Sequence, residues 1–482
     1  MPSDPAATSA HASPASVDDG TGLWSPNRRE LTLGLVLTIT LVAAEALAVS
    51  AAMPIVAKEL GGAEQYGLVF SAFMVGSLLG IVIAGELIDR RGIRFPFLVG
   101  LSLFAGGLLL AGLAPTMEVL VGSRFIQGIG GGAIPPVAYV AIGRSLPERL
   151  RPAMFAMLST AWILPGVFGP AVGGAVAEFL HWRLVFLGLL PLVALSGWMS
   201  FDALRKIAPA PPGATSRSSS ARLRDALLVA AGVLLITGGL SSTDPLLLAL
   251  LGLSGVGLTL FAFHRLVPAG TLRASRGYPT AVLLRGFMTF VFFVFDPYIP
   301  LLMTDVRGWT PTLAGIALTA ATVSWTMGSW TQARLARRIP NERFALLGFA
   351  VVGFGTAMVM TVLLPQVPAW VIIPTFALAG YGMGLGYAQY ALIVLRDVPP
   401  PQQGAVTSGL TLSDTLGATL GASIGAALVA TSVRLTAGPA TGIGAAMGLS
   451  VLVAAAGFLL APRLASRVPR MPVPAGATEG VR

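Results

Sequence analysis

The sequence predicts an all-α protein that crosses a membrane many times, and three observations carry that prediction. Hydrophobic residues make up 55% of the 482-residue chain and charged residues only 11%, against roughly 25% charged in soluble domains. Apolar runs recur along almost the whole length, each long enough to cross a bilayer core, which takes about 20 helical residues. The charges are gathered in short segments between those runs. A mean hydropathy of +0.80, with 58 Gly and 35 Pro, suits helices that sit in lipid and pack closely on one another.

Composition also removes several function classes. There is no Cys, so disulfides, thiolate chemistry and zinc–thiolate sites are excluded. His11, His181 and His264 are too scattered to form a metal site, and none is expected. The formal charge of +10 would suit nucleic acid, but the basic residues flank apolar spans, where they control topology. No nucleic-acid partner is expected. Residues 1–28 are rich in Ala, Ser, Pro and Asp without an apolar core, which predicts a disordered cytoplasmic tail.

The apolar runs fall near 31–53, 66–88, 95–114, 117–143, 151–177 and 183–203. A polar break between Arg205 and Arg224 follows, then two shorter runs near 225–241 and 244–263 around Ser241-Ser242-Thr243-Asp244-Pro245. Six more lie near 279–303, 310–331, 344–365, 368–395, 404–430 and 440–462. The order is six, two and six, or fourteen spans; a central pair lying in the interface would leave twelve. The predicted units are a tail (1–28), a six-helix bundle (29–204), a linker (205–224), a two-helix hairpin (225–266), a second bundle (267–465) and a tail (466–482).

The distribution of the 31 Lys and Arg tests this count. With the N-terminus inside, only Lys58, Arg183, Arg307 and Arg434 fall outside and Arg124 lies in the membrane. The rest are counted to cytoplasmic tails and loops. Such a bias predicts both termini in the cytoplasm.

Gly85-Glu86-Leu87-Ile88-Asp89-Arg90-Arg91-Gly92-Ile93-Arg94 is a charged loop between two long apolar spans. Its charges cannot sit in hydrocarbon, so it marks a membrane surface. A carboxylate at a helix end can pair with arginines or face a neighbouring helix N-terminus. The ordered pattern built on Gly85, Asp89, Arg90, Gly92 and Arg94 resembles the loop between helices 2 and 3 of major facilitator superfamily transporters. The second half carries a weaker echo, Gly328-Ser329-Trp330-Thr331-Gln332-Ala333-Arg334, with Gln332 in the place of Asp89. The resemblance implies a major facilitator fold: two six-helix bundles plus two inserted helices. It also implies that the Asp89 loop latches the state open to the outside.

Three further stretches extend the resemblance. Arg124 lies inside the fourth span in Leu120-x-x-x-Arg124-x-x-Gln127-Gly128-x-Gly130-Gly131-Gly132. A mid-membrane arginine costs at least about 2.5–3.5 kcal/mol on insertion scales, so it is rarely idle; Gln127, one turn away, can share its hydrogen bonds. This pattern is similar to the family's fourth-helix motif, associated with proton coupling. The fifth span holds Gly169, Pro170, Gly173 and Gly174 in G-P-x-x-G-G, which resembles the motif of the family's exporters, with Pro165 where a glycine is usual. Trp182-Arg183-x-x-Phe186 with Pro191 resembles the opening of span six in fourteen-span drug exporters, with Leu189 where an asparagine is usual.

Three acids lie within spans. Glu45 sits near mid-depth in the first, where the exporters have an aspartate, and Ser50 stands for their asparagine. Asp296 precedes Pro297 toward the outer side of the ninth span, placed to bond freed backbone, and Asp414 lies near mid-depth in the thirteenth. Burial raises a carboxyl pKa, so any of the three suits proton loading or attraction of a cationic substrate. Phe287, Phe290, Tyr298, Trp325, Tyr387 and Tyr390 are candidates to line a greasy cavity for amphipathic or aromatic cations. The Gly380-to-Gly386 run reads as close helix packing rather than a nucleotide loop.

The sequence therefore predicts proton-coupled export of hydrophobic or cationic small molecules, with no cofactor and no ATP motif, driven by the proton gradient. Expected partners are the small-molecule substrate, protons and membrane lipid, and the chain is expected to act as a monomer in a bacterial cytoplasmic membrane. Two alternatives share the fold: a lipid or lipid-like exporter and a proton-coupled uptake symporter. An enzyme would need a convergent catalytic cluster, which the missing Cys and sparse His do not supply.

Overall fold

The computed structural model describes residues 22–26, 28–61, 66–205, 219–242 and 244–465. Most of the expected N-terminal tail, residues 206–218 of the linker and the tail from 466 lie outside the described residues. The first half contains α1 (Arg29–Leu60), α2 (Tyr66–Arg91), α3 (Arg94–Gly112), α4 (Met117–Ser145), α5 (Arg151–Thr160), α6 (Ile163–Ala175), α7 (Arg183–Leu187) and α8 (Leu190–Arg205). A hairpin of α9 (Ser219–Ser241) and α10 (Pro245–Leu266) follows. The second half contains α11 (Tyr278–Phe293), α12 (Ile299–Leu301), α13 (Pro311–Leu335), α14 (Asn341–Met360), α15 (Ile372–Tyr387), α16 (Gln389–Asp397), α17 (Gln403–Arg434) and α18 (Gly438–Leu460).

Thirteen helical spans among the described residues are long and apolar enough to cross a membrane. A fourteenth helix, α13, has 25 residues, but Ser, Thr and Trp make it less apolar. It packs against α5, α6 and α15, so its polar side chains find protein partners. The protein is a multi-pass membrane protein with a major facilitator fold: two six-helix bundles plus two inserted helices.

Local chemistry sets where the helices start and break. Thr116, Asp244 and Thr310 cap α4, α10 and α13 by accepting the first free backbone N–H groups, and Pro245 and Pro311 follow at the first helical position, where a missing N–H costs nothing. Gly92 turns the chain between α2 and α3 at φ +74°, a conformation that a side chain would oppose. Four apolar runs expected as single helices are interrupted, 183–203 at Gly188-Leu189 and 368–395 at Ala388 among them. The run 151–177 divides at Ala161-Trp162 ahead of Pro165, and the run 279–303 divides at Val294-Phe295 ahead of Pro297 and Pro300. In both, proline removes the backbone donor that would carry the helix through.

The bundles share a packing device. On α2 and α4, an added Cβ at Gly80 would overlap the Ile129 carbonyl and one at Gly132 the Ser77 carbonyl. On α13 and α15, Gly380 and Gly384 stand equally close to Ala321 and Trp325. With no hydrophobic drive between helices in lipid, small residues that admit close backbone contact hold such pairs together. The inserted hairpin stands beside the bundles, with α9 against both α2 and α17.

Candidate functional site

Three polar clusters stand out inside this apolar body, one in each half and one on the seam between them. In the first half, α1 presents Glu45 and α4 presents Arg124 and Gln127, all buried. Arg124 Nη1 donates to Glu45 Oε1 in a short ion pair and to Gln127 Oε1 at 2.6 Å. The guanidinium carbon lies 4.4 Å from the centre of the Phe73 ring, so an aromatic face shares its charge. Among the described residues, Glu45 Oε2, Arg124 Nε and Gln127 Nε2 have no hydrogen-bond partner. Ser50 stands apart and bonds the Ala46 carbonyl one turn away on its own helix.

The exporter-like stretch lies on α6, where an added Cβ at Gly173 would come within 2.6 Å of Ala48 Cα and one at Gly169 within 3.2 Å of Leu47 Cβ. Gly174 and Pro170 follow the same helix. These glycines therefore press α6 against α1 within a turn of Glu45.

In the second half, α11 carries Arg285 into the membrane body, where it is 1% exposed. Its Nε donates to Asp414 Oδ1 at 2.8 Å and its Nη2 to Asp414 Oδ2 at 3.2 Å. Its Nη1 donates to the Tyr387 carbonyl at 2.5 Å, and the Tyr387 hydroxyl donates to Asp414 Oδ2 at 2.9 Å. Arg285 Nη2 also reaches across to the Tyr139 hydroxyl on α4 at 3.1 Å. The charge distribution of the sequence places Arg285 with the loop arginines; the structure corrects this. It lies inside the span because a carboxylate from α17 meets it there, a pairing that no count along one chain reveals. The available signal was an arginine several residues into an apolar run, the same signal that singles out Arg124.

The third cluster is the seam. Asp89, at the last turn of α2, is 5% exposed. It accepts hydrogen bonds from the backbone N–H groups of Gly404 at 2.8 Å and Ala405 at 2.9 Å, the first turn of α17. Those are free donors at the positive end of a long helix. An added Cβ at Gly404 would stand 2.5 Å from Asp89 Oδ1, and one at Gly85 would overlap Ser408 Oγ, so both glycines are needed for contact. Arg144 donates to the Pro400 carbonyl at 3.0 Å and Ser408 to the Ile81 carbonyl at 2.6 Å. Of the other charges in the loop, Arg90 pairs with Glu86 at 2.9 Å and Arg94 stacks on Phe201 at 4.3 Å.

A second seam joins α5 to α13, through Ser329 to Ser159 and Trp330 to Thr160, each at 3.0 Å. Because successive spans alternate in direction, all these bonds lie toward the end that carries the Asp89 loop. There the halves are closed on each other, around a cleft of about 340 Å³ between Glu148, Arg149 and Arg151 of one half and Arg334, Arg337 and Arg396 of the other.

Asp296 opens a short turn at Pro297 and makes no hydrogen bond or ion pair among the described residues. The expected bond to freed backbone is not formed, because Ile299 N already closes the turn on the Asp296 carbonyl. The aromatic candidates divide. Trp325 packs on Tyr387 with ring centres 5.3 Å apart and on Phe292 at 5.6 Å. Phe287 and Phe290 are partly buried against the core, and the Tyr298 hydroxyl donates to the Ala422 carbonyl at 2.7 Å. Tyr390 is fully buried in this state.

Known proteins agree with this architecture. The sequence model described as Major Facilitator Superfamily matches residues 34–422. A probable multidrug-efflux transporter of Mycobacterium tuberculosis strain H37Rv is 26% identical over 404 residues, covering 80% of this chain and 85% of that protein. A multidrug efflux pump of Staphylococcus aureus is 25% identical over 389 residues, covering 79% and 85%. The fold is similar to that of a proton:xylose symporter, at 16% identity and TM-score 0.62 over 89% of this chain and 94% of that one. It is likewise similar to a bacterial homologue of ferroportin in an outward-facing state, at 13% identity and TM-score 0.63 over 89% and 98%. With its paired bundles, its Asp89 seam and a family match over most of its length, the chain belongs to the Major Facilitator Superfamily, whose members are transporters of small molecules.

Proposed function

We propose that this protein exports hydrophobic or cationic small molecules across a bacterial cytoplasmic membrane in exchange for protons, by alternating access. The observation that carries the reading is the buried Glu45–Arg124–Gln127 cluster. It is a carboxylate with one bare oxygen, on the helix against which the exporter-like glycines of α6 pack. Protonation of Glu45 would neutralise its side of the ion pair with Arg124 and loosen α1 from α4. Asp414 and Asp296 are the other acids through which a proton or a cationic substrate would act.

The loop charges support cytoplasmic termini, which would make the closed end the cytoplasmic one. The bundles, residues 29–204 and 267–465, would rock about their seams, with the hairpin of 225–266 beside them. No cofactor is needed. A membrane potential supplies about 2.3 kcal/mol per charge per 100 mV, enough to concentrate a solute tens-fold. The chain would work as a monomer surrounded by lipid. Relatives named as multidrug-efflux proteins support this choice of substrate class.

The test uses inside-out vesicles containing the protein, with an acid interior, and a panel of cationic dyes and antibiotics. Proton release on adding a compound, lost in Glu45→Gln, is the expected result. Folded protein that releases no protons with any compound contradicts drug antiport and turns attention to lipid export or uptake.

A further inference from the structure

Arg285 raises a question that proton exchange at Glu45 does not answer. A fully buried guanidinium in the membrane is held by a carboxylate, by a carbonyl and by an aromatic face. The Arg285 guanidinium carbon lies 3.2 Å from the centre of the Tyr387 ring, Asp414 takes two of its hydrogen bonds, and Trp325 stands edge-on to Tyr387. An acid beside aromatic rings is an environment in which proteins bind organic cations. The surround is not sealed: Asp414 keeps 18% of its side chain exposed against 1% for Arg285, and Trp325 and Tyr387 are only partly buried. The same guanidinium bonds Tyr139 in the opposite half, so its position is tied to closure of the seam.

We infer that Asp414, Tyr387 and Trp325 form a binding box for organic cations, and that Arg285 occupies it when the Asp89 end is closed. Substrate cation and guanidinium compete for one carboxylate. When the Asp89 end opens, Arg285 loses Tyr139 and the box accepts a cation from the cytoplasm. When that end closes, Arg285 regains both partners and drives the cation toward the outer side. Release is thereby coupled to gate closure by exchange of one positive charge for another, with no new bond chemistry. This rests on the export reading for its direction, while the box itself does not depend on it.

The test measures binding of tetraphenylphosphonium to the purified full-length protein in lipid nanodiscs. Asp414→Asn is expected to weaken binding about tenfold or more. Arg285→Gln is expected to tighten it, because the competitor is gone. Tyr139→Phe leaves the box intact and keeps its ring contact with Phe155, 5.2 Å between centres. It removes the hydroxyl that meets both Arg285 and Tyr387 across the seam and is expected to tighten apparent binding by up to about tenfold, which corresponds to about 1.4 kcal/mol. A purely structural Arg285 predicts otherwise: Arg285→Gln weakens binding and Tyr139→Phe changes nothing. That pair of results overturns the proposal even if the Asp414 variant fails to fold. Wild-type protein that exports a neutral dye but does not bind tetraphenylphosphonium also overturns the box and leaves export standing. Wild-type protein that binds the cation but transports nothing supports the box and rejects export.

Discussion

The two seams that close this transporter at one end occupy equivalent places in the two halves, yet they are built differently. At the α2–α17 seam Asp89 lies within 2.9 Å of two backbone N–H groups, at a helix start that reads Gln403-Gly404-Ala405. In the echo on α13 the same position is Gln332. It is fully buried, and neither its amide nitrogen nor its oxygen has a hydrogen-bond partner among the described residues. The facing helix α5 begins Arg151-Pro152, and a proline has no N–H to give. Its seam with α13 is held by neutral hydroxyl and indole bonds instead. The difference teaches that the two halves meet through unlike chemistry: a charge facing a helix dipole on one side, and neutral hydroxyl and indole contacts on the other.

Substitutions can break this comparison or sharpen it. Asp89→Ala leaves two buried N–H groups unmet and should favour the open state by about 3 kcal/mol. Loss of transport with normal amounts of folded protein in the membrane checks it. Gly404→Ala keeps the carboxylate but drives a Cβ against it, with an expected cost of about 2 kcal/mol; partial loss of transport, with Gly85→Ala behaving alike, is the expected reading. Gln332→Leu should act with the opposite sign. It removes two unpaired buried polar atoms and should raise the thermal stability by about 1 kcal/mol. A large loss of transport in Gln332→Leu would show that both seams carry latches.

Much of this was legible in the sequence, because the decisive features are local. The Asp89 loop announces itself as charges between apolar spans, and the Glu45 and Arg124 pair as two ionisable residues too deep to be solvated. The glycine run on α15 reads correctly as close packing. Features that need a tertiary partner were not legible. Arg285 looks like a loop charge until Asp414 is brought to it from 129 positions away. The unbonded side chain of Asp296, the breaks at residues 161–162 and 294–295 and the unpaired amide of Gln332 likewise depend on what packs against them. That Tyr139 of one half meets Arg285 of the other follows only from the seam.

The most direct test of unequal seams uses the absence of cysteine from the chain. Spin labels at Glu148→Cys and Arg337→Cys, exposed positions on either side of the cleft at the closed end, report the opening between the halves. The expected result is a short distance in the labelled parent, a dominant long distance with Asp89→Asn, and no change with Gln332→Leu. Equal opening by the two substitutions, or none with Asp89→Asn, would contradict a single charged latch.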